Sequence, residues 1–573
     1  MRTTRFVTAF WALARPYWVS EQRSKGLALL AAVIGLALAL VWINVQINQW
    51  NNDFYNALQE RQRDDFYRLL GRFTVLAFAY IGIAVYRFYL QQMLQIEWRT
   101  WLNERFLADW LKDRAYYRLQ LLDRGTDNPD QRIAEDLNLF VSSTLSLGLG
   151  LLSAVVTLVS FVAILWTLSG ALEIAGVLVP GYMVWFALLY AGVGSFLTHK
   201  IGRPLIGLEF NQQRFEADYR FSLVRLRENS EGVALYRGEN EELGNFRGRF
   251  ASVIANWWGI MRKQKQLNFF TVSYSQIAII FPFVVAAPRY FRGEIPLGGL
   301  IQTASAFGQV QDSLSFIIGA YTDIAQWRSV VQRLVGFERT LARVRAEAAG
   351  DGVRRGPDTG EALALDRVDL KLPGGRPLVE GVTLDFRPGD TALISGPSGA
   401  GKSTLFRAIA GIWPFGAGTV RLPRGGRVLF LPQKPYLPIG TLREVISYPT
   451  PAGGFDDQAL REALEVVGLP ELAGRLDESG HWALQLSPGE QQRIAFARAL
   501  VQKPDWLFLD EATSAVDEAA ETRLYQLIHE RLRGTAVLSV GHRSTLRAFH
   551  GRQLVVQPNG SAPAAIVEVS VTS

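Results

Sequence analysis

Residues 396–403, which read Gly-Pro-Ser-Gly-Ala-Gly-Lys-Ser, have the composition and spacing of a loop that cradles phosphate. A strand-like apolar run precedes the loop, and the pattern predicts a helix beginning near Lys402. Glycines let backbone N–H groups close around phosphate oxygens without a Cβ clash, and the helix turns its partly positive N-terminus toward the same anion. Lys402 is predicted to bind the β- and γ-phosphates, and Ser403 to place its hydroxyl on Mg²⁺. The residues predicted to bind nucleotide here are Gly396, Pro397, Ser398, Gly399, Ala400, Gly401, Lys402, Ser403 and Thr404.

Two adjacent carboxylates, Asp510 and Glu511, end the apolar run of residues 506–509. A buried strand that ends in two acids beside a phosphate site needs an electrostatic reason, and a metal ion with an attacking water supplies one. We expect Asp510 to bind nucleotide and, together with Ser403, to hold the metal. Glu511 is then the candidate general base. The pair predicts hydrolysis of ATP with Mg²⁺ as cofactor.

Further motifs follow the phosphate loop in a fixed order along the chain. They are Gln433, Leu-Ser-Pro-Gly-Glu at residues 486–490, Ser-Ala-Val-Asp at residues 514–517 and His542. Together with the loop and the acidic pair, this series resembles the ATP-binding cassette (ABC) family. The resemblance implies that the four motifs are the Q-loop, the signature motif, the D-loop and the switch histidine.

The family's known roles carry over to these positions as expectations. Gln433 is expected to contact both nucleotide and metal, and His542 to take part in catalysis. Ser487, Gly489 and Glu490 are expected to bind nucleotide. In this family the signature motif completes the ATP site of the other ATPase domain, so one chain holds two half-sites and a dimer is required. We expect a homodimer, with a heterodimer as the alternative.

Two features depart from the family pattern. The signature motif reads Leu-Ser-Pro-Gly-Glu where Leu-Ser-Gly-Gly-Gln is commonest, so Pro488 has no N–H to donate. In addition, no aromatic residue stands near Leu372-Pro373, where the family often stacks a ring on adenine. Recognition of the base is therefore expected to be loose.

The chain is too apolar for an ordinary soluble ATPase, with 49% hydrophobic and 20% charged residues among 573. The apolar excess lies in the first 330 residues, in runs long enough to cross a hydrocarbon core as helices. The six predicted spans are residues 26–47, 73–94, 146–168, 174–197, 268–288 and 297–320. For the last run, the alternative is a re-entrant or buried helix.

Charge distribution predicts the orientation of these spans. Twelve Lys or Arg residues lie in 198–267 and seven in 95–144, whereas 168–173 has none. Positive loops face the cytosol, which places both termini and the ATPase there.

The net charge of +7 fits a surface facing anionic lipid, and dispersed arginines argue against nucleic acid as a partner. The absence of cysteine excludes disulfides and thiolate metal sites.

The predicted fold is an α-helical transmembrane bundle of six spans fused to an α/β P-loop nucleotide-binding domain. The boundaries are 1–330 for the membrane domain, with long cytosolic helical extensions, 331–362 for a linker and 363–573 for the nucleotide-binding domain. This architecture is that of exporter-type (type IV) ABC transporters. A narrower resemblance, to the group that includes SbmA, BacA and YddA, is carried by residues 50–58, 97–101, 128–132, 229–231, 236–238 and 434–438.

That group is related to the peroxisomal fatty-acyl transporters, and the resemblance implies a half-transporter in the bacterial inner membrane. It implies ATP-driven import of bulky hydrophilic cargo such as cobalamin or antimicrobial peptides. The alternatives are an exporter of lipids, fatty-acyl compounds or drugs, and a non-transporting ATP-gated regulator. Gln302, Ser305, Gln309 and Asp312 share one face of the sixth run, and with Arg87 they are candidates to line a polar cavity. Interhelical hydrogen bonding is the alternative role for them.

Overall fold

The computed structural model describes residues 3–122, 129–174, 177–348, 352–356, 360–559 and 562–569. The chain forms two compact units, one of residues 1–109 and 127–339 and the other of residues 110–126 and 340–573. Asn128, in the motif at 128–132, lies outside the described residues. So do residues 349–351 and 357–359 of the expected linker.

Long α-helices make up almost all of the first unit. Up to residue 348 the helices are α1 (Thr3–Trp18), α2 (Arg23–Gln59), α3 (Arg63–Leu111), α4 (Ala115–Leu122), α5 (Pro129–Gln131), α6 (Leu137–Ser169), α7 (Tyr182–Glu228), α8 (Ser230–Tyr236), α9 (Glu239–Phe291), α10 (Leu297–Leu314), α11 (Phe316–Gly319) and α12 (Tyr321–Ala348). A 3₁₀ turn, Lys112–Arg114, precedes α4, and a π-helical turn, Arg132–Asp136, precedes α6. Strands β1 (Ala171–Ile174) and β2 (Val177–Pro180) form an antiparallel hairpin.

Five helical stretches in the described part of the chain are long and apolar enough to cross a membrane. They are Arg23–Gln59, Arg63–Leu121, Pro129–Ser169, Tyr182–Glu228 and Glu239–Phe291. Each contains one of the first five predicted spans or most of it. Since a span needs only about 20 residues, these helices of 37 to 59 residues continue well beyond any hydrocarbon core.

Two predicted spans have different boundaries in the structure. The fourth helix begins at Tyr182 and not at residue 174, because Gly170 and Gly181 adopt φ of 66° and 62° and bracket the β1–β2 hairpin. A short apolar run does not distinguish strand from helix by periodicity, which explains the error. The predicted span 297–320 is helical in pieces, since α10 ends at Leu314 and Ser315 and Ala320 separate α10, α11 and α12.

Side chains from distant segments fix the helices of this unit to one another. Asp136 is buried and accepts hydrogen bonds from Arg132 at 2.8 Å and from two nitrogens of Arg333 at 2.6 and 2.9 Å. A buried carboxylate is tolerated when it is paired in this way. The triad therefore anchors the start of α6 to α12.

Helix α10 begins against the end of α2. Asn56 Oδ1 accepts from Gly298 N at 2.9 Å and Gln59 Oε1 from Leu297 N at 2.7 Å, so two free N–H groups of α10 are capped by side chains.

On the predicted polar stripe, Gln302 is buried and its backbone carbonyl accepts from Asn48 Nδ2 at 3.2 Å. Further along, Ser305, Gln309 and Arg87 are half-buried, and Asp312 is exposed within the single chain.

A ten-stranded mixed sheet with helices forms the second unit. Its strands and helices are β3 (Arg354–Arg355), β4 (Leu363–Lys371), β5 (Pro377–Phe386), β6 (Thr391–Ser395), α13 (Lys402–Ile409), β7 (Gly416–Arg421), β8 (Val428–Leu431), β9 (Gly440–Thr441), α14 (Leu442–Ser447), α15 (Asp457–Val466), β10 (Ser479–Gly480), α16 (Trp482–Gln485), α17 (Pro488–Gln502), β11 (Trp506–Asp510), α18 (Glu518–Arg531), β12 (Ala536–Val540), β13 (Arg552–Asn559) and β14 (Ala562–Val569). Short 3₁₀ turns lie at Ala452–Gly454, Pro470–Leu472 and Ser544–Phe549.

The sheet order is β3-β7-β4-β5-β14-β13-β6-β12-β11-β8, and β9 pairs with β10 separately. Strands β13, β6, β12, β11 and β8 are parallel neighbours. Strands β6, β11 and β12 are almost fully buried, which fits their continuous apolar sequence. Their carboxyl ends lie at one edge of the sheet, where ligands bind in open α/β folds.

Candidate functional site

The phosphate loop leaves the carboxyl end of β6 and enters α13, as the sequence predicts. Gly401 caps α13 with a φ of 100°, and Gly396 has a φ of 142°. A Cβ on Gly396 would lie 2.6 Å from the carbonyl oxygen of Val556, so only glycine fits this close approach. The loop thus presents its backbone at the amino end of a helix, which is the geometry that binds phosphate.

The Lys402 side chain folds back over the loop. Its Nζ donates to the carbonyl oxygens of Gly396 and Pro397 at 2.8 and 2.9 Å, and the residue is 5% exposed. Burial lowers the pKa of Lys402, partly opposed by the charges of Glu511 and Asp510. The ammonium group is therefore held where an anionic phosphate would restore the solvation that burial removes.

Two of the three residues expected to hold the metal, Ser403 and Asp510, lie together. Ser403 Oγ donates to Asp510 Oδ1 at 2.8 Å, which joins the first turn of α13 to the end of β11. Burial raises the pKa of Asp510, and the Ser403 hydrogen bond acts in the opposite direction. A hydroxyl and one carboxylate fit Mg²⁺, which takes its other ligands from phosphate and water.

The candidate base lies between the two residues expected beside it. Glu511 Oε2 accepts from Gln433 Nε2 at 3.0 Å, and Glu511 Oε1 lies 3.3 Å from His542 Nε2. Glu511 N donates to Val540 O at 3.0 Å, which aligns the ends of β11 and β12. The Glu511 carboxylate, the candidate base, thus has the Q-loop glutamine on one oxygen and the switch histidine near the other.

Glu511 also has an unusual backbone conformation. Its φ is 50°, in the left-handed region that residues other than glycine rarely adopt. Such strain costs roughly 1–3 kcal/mol and persists only where the surroundings determine it. The turn after β11 is therefore held in this conformation by its contacts, because the intrinsic backbone preference of glutamate would not favour it.

The signature motif starts α17 with a capping box. Ser487 is the N-cap, its hydroxyl accepts from Glu490 N at 3.4 Å, and Glu490 Oε2 accepts from Ser487 N and Oγ at 2.7 Å each. These bonds hold the pKa of Glu490 below its ordinary value. In the single chain, Glu490 thus orients Ser487 and the helix start, which is a different task from the nucleotide contact expected of it.

Pro488 stands at the first position of α17. The N–H that proline lacks is one that a helix start cannot use internally, and its fixed φ favours the helix. The departure from the commonest motif is therefore compatible with a normal helix start. The neighbouring Gly489 approaches the D-loop so closely that a Cβ would lie 2.9 Å from Ala515 O.

Sequence reasoning missed one residue that connects these motifs. Gln492, 2% exposed on α17, donates from Nε2 to Gln433 O and to Ser514 Oγ, both at 3.0 Å, and accepts from Ala515 N at 2.8 Å. It therefore joins the Q-loop, the D-loop and the signature helix. Its only sequence signal is a polar residue on the helix face that packs against the core.

Comparison with known proteins agrees with this geometry. Residues 13–291 match the family described as ABC transporter transmembrane region 2, and residues 379–514 match the family described as ABC transporter. An uncharacterized ABC transporter ATP-binding protein of Haemophilus influenzae is 36% identical over 98% of this chain and 94% of its own length. The inner membrane ABC transporter ATP-binding protein YddA of Escherichia coli is 33% identical over 94% and 95%.

A more distant relative and one solved structure complete the comparison. The human lysosomal cobalamin transporter ABCD4 is 28% identical over 93% of this chain and 91% of its own length. The structure of a bacterial Atm1-family ABC exporter with ATP bound has a TM-score of 0.75 over 96% of both chains, at 17% identity. At that identity the likeness shows the fold alone.

Helical membrane unit and P-loop site together define an ATP-driven, multi-pass membrane transporter of the ABC class. The chain belongs to the half-transporters that carry ABC transporter transmembrane region 2, the family that includes the D-type transporters, and it is close to YddA. The predicted fold class, a helical transmembrane domain of the exporter type fused to an α/β P-loop domain, is confirmed, and five of its six predicted spans correspond to helices long and apolar enough to cross a membrane in the described residues. Because a half-transporter carries one ATPase domain, it dimerises.

Proposed function

We propose that the protein hydrolyses Mg²⁺-ATP with Glu511 as general base and couples the reaction to transport as a homodimer working by alternating access. The observation that carries the proposal is the Glu511 carboxylate, held 3.0 Å from Gln433 Nε2 and 3.3 Å from His542 Nε2 beside the Ser403–Asp510 pair. A general base must lie within hydrogen-bond reach of the water that it activates. Gln433 and His542 fix the position of the Glu511 carboxylate, which suits it to bind that water.

Ser403 and Asp510 are the residues that would hold Mg²⁺, and Gln433, which contacts Glu511, would be the third. Bound there, the ion would neutralise charge on the β- and γ-phosphate oxygens. Lys402 would exchange its two loop carbonyls for phosphate oxygens. His542 would orient the Glu511 carboxylate, which lies 3.3 Å from its Nε2.

We propose that the second half of each ATP site comes from the signature motif of the partner copy. The Ser487 hydroxyl is held at a helix start by Glu490. A helix N-terminus with a serine hydroxyl is suited to an anion such as the γ-phosphate. With all motifs intact in one chain, two identical copies would have two competent sites.

The base assignment is tested by Glu511→Gln in the full-length protein in lipid nanodiscs. Glutamine keeps the size of the side chain but cannot accept the proton, so we expect ATP binding to persist and turnover to fall by at least about 100-fold. Glu518→Gln, an exposed carboxylate seven residues later, is the matched control and should keep normal turnover. Ordinary turnover in Glu511→Gln would remove Glu511 from the base role.

A second variant tests the phosphate loop separately. Lys402→Ala should weaken ATP binding itself, because the ammonium group is held within the loop by two carbonyls at 2.8 and 2.9 Å. Binding of a fluorescent ATP analogue is the measurement. An unchanged affinity would contradict the phosphate role of Lys402.

For the cargo, we propose a bulky hydrophilic compound moved inward across the bacterial inner membrane. Two observations support it: the human relative named a cobalamin transporter and the E. coli relative named an inner membrane protein. The single chain also has a cavity of about 430 Å³ between α7, α9 and α12 with a mixed wall, polar at Glu209, Gln213 and Gln326 and apolar at Leu205, Phe210 and Leu267, so it does not by itself indicate the cargo. Thr198 Oγ1 is buried in its wall with no partner among the described residues.

Uptake of labelled cobalamin into cells that lack their own importer tests the cargo and its direction. Accumulation with the wild-type chain, and none with Glu511→Gln, is the expected result. Antimicrobial peptides are the second cargo to assay. If neither cobalamin nor the peptides accumulate although wild type and Glu511→Gln both reach the membrane, export of lipids, fatty-acyl compounds or drugs becomes the better hypothesis. Cargo-independent ATPase with a copurifying partner would instead indicate an ATP-gated regulator.

A further inference from the structure

Glu521 is a buried carboxylate near the ATPase site to which the mechanism above gives no role. It lies in the first turn of α18 and is 2% exposed. A carboxylate so deeply buried is costly unless its oxygens are satisfied. Its partners therefore indicate what the residue does.

The two carboxylate oxygens bind two different segments of the site. Thr513 Oγ1 donates to Glu521 Oε2 at 2.6 Å, and Thr545 Oγ1 donates to Glu521 Oε1 at 2.8 Å. Thr513 stands two residues after the base Glu511, and Thr545 three residues after His542. One side chain thus connects the turn that carries the base to the segment that carries the switch histidine.

An arginine closes the same network. Arg543, adjacent to His542 in the sequence, places Nη1 3.6 Å from Glu521 Oε2 and donates from it to Val516 O at 3.0 Å. Val516 belongs to the D-loop. The buried charge is therefore paired, and the D-loop is attached to the same carboxylate.

We propose that Glu521 is a positioning residue of the ATPase site, which keeps Glu511 and His542 in register by holding Thr513 and Thr545 on one carboxylate. The inference rests on the proposed roles of Glu511 and His542. It also accounts for the strained backbone of Glu511, whose φ of 50° requires outside support. Glu521 would act through Thr513, Thr545 and Arg543.

Two conservative variants test the proposal. Glu521→Gln keeps the volume but leaves only one acceptor oxygen for two hydroxyl groups and removes the ion pair with Arg543. Thr545→Val removes one hydrogen bond and keeps the shape. Glu518→Gln is the control, because it removes an exposed carboxylate from the first turn of the same helix.

The assay is steady-state ATPase activity of the full-length protein in nanodiscs, with nucleotide affinity and unfolding temperature measured on the same samples. We expect kcat to fall by about tenfold in both variants, equivalent to about 1.4 kcal/mol of activation free energy. The KM for ATP should stay within about twofold, since the phosphate loop is untouched. The control should behave as wild type.

A merely structural role predicts a different pattern, with a lower unfolding temperature and an unchanged kcat of the folded fraction. That result would overturn the proposal. If Glu521→Gln does not fold, Thr545→Val decides, and a kcat equal to the control rejects the positioning role. Glu511→Gln measured alongside separates the two hypotheses, because turnover retained there would refute the base assignment and not the Glu521 contacts.

Discussion

His550 gives a stability prediction whose sign and size follow from the structure. It is 4% exposed, and its Nδ1 lies 2.7 Å from Leu546 O, so Nδ1 carries the proton and donates. Nε2 then accepts from Ser539 Oγ at 2.8 Å, while Tyr525 donates to the same Ser539 Oγ at 3.2 Å. The neutral ring is therefore fully satisfied. A second proton on the ring would make Nε2 a hydrogen-bond donor. It would then face the Ser539 hydroxyl, which already accepts a hydrogen bond from Tyr525.

The pKa of His550 agrees with this arrangement. Burial lowers it from the ordinary value of 6.5 to about 4, with a smaller contribution from His529 and an opposing one from the Leu546 carbonyl. Above pH 6.5 neither the folded nor the unfolded state binds this proton. As the pH falls from 6.5 toward 4 the unfolded state alone binds it, so stability is lost over that window.

The loss amounts to about 2 kcal/mol between pH 7.5 and pH 5, since each pKa unit corresponds to about 1.4 kcal/mol. For a unit of this size, that is a fall of about 4–8 °C in unfolding temperature. Other groups titrate as well, so the measured quantity is the difference between wild type and His550→Gln. Glutamine can donate to Leu546 O and accept from Ser539 without titrating.

The assay is thermal unfolding of the full-length protein in nanodiscs at both pH values, following the transition of the nucleotide-binding unit. Wild type should lose about 4–8 °C more than His550→Gln on acidification. His481→Gln, at an exposed position, is the control and should keep the wild-type pH dependence. Equal pH dependence in wild type and His550→Gln would refute the reasoning.

Two further variants test close contacts around the signature helix. Gly489→Ala places a Cβ 2.9 Å from Ala515 O, so the D-loop must shift. We expect ATPase turnover to fall at least about tenfold, while the affinity of the phosphate loop for nucleotide is retained. Arg498→Met leaves the carbonyls of Tyr436 and Val445 without their donor, at 3.1 and 2.7 Å, and should cost about 1–3 kcal/mol of stability, measured by thermal unfolding.

Local sequence was enough to predict the phosphate loop, because its geometry depends on glycines at fixed spacing within a few residues. It was also enough for the helical character of the membrane unit, which depends on long apolar runs. The β1–β2 hairpin was missed because residues 174–180 are apolar enough to belong to either a strand or a helix. The local signals there are Gly170, Gly176 and the pair Pro180-Gly181, which mark turns within the apolar run.

Gln492 and Glu521 illustrate what local sequence cannot show. Each is a polar residue on a helix face that also carries buried apolar residues, so the pattern places it toward the core but does not show which groups it binds. Their partners come from segments 8 to 59 residues away in the sequence. Only the folded sheet, which brings the ends of β11 and β12 together, places those partners within hydrogen-bond distance.

Side chains also hold the carboxyl end of the phosphate-loop helix α13. Its eight residues span about 12 Å. At the carboxyl end, Arg355 donates to Ala410 O at 2.8 Å, and Arg114 donates to the same oxygen. Two cations at a helix carboxyl end complement its dipole.

Arg114 belongs to residues 110–126, which are part of the second unit although the chain before and after them belongs to the first. Asp113 and Arg114 have φ of 54° and 57°, a conformation that residues other than glycine adopt only where contacts enforce it. These contacts fix the carboxyl end of α13, whose amino end carries Lys402 and Ser403.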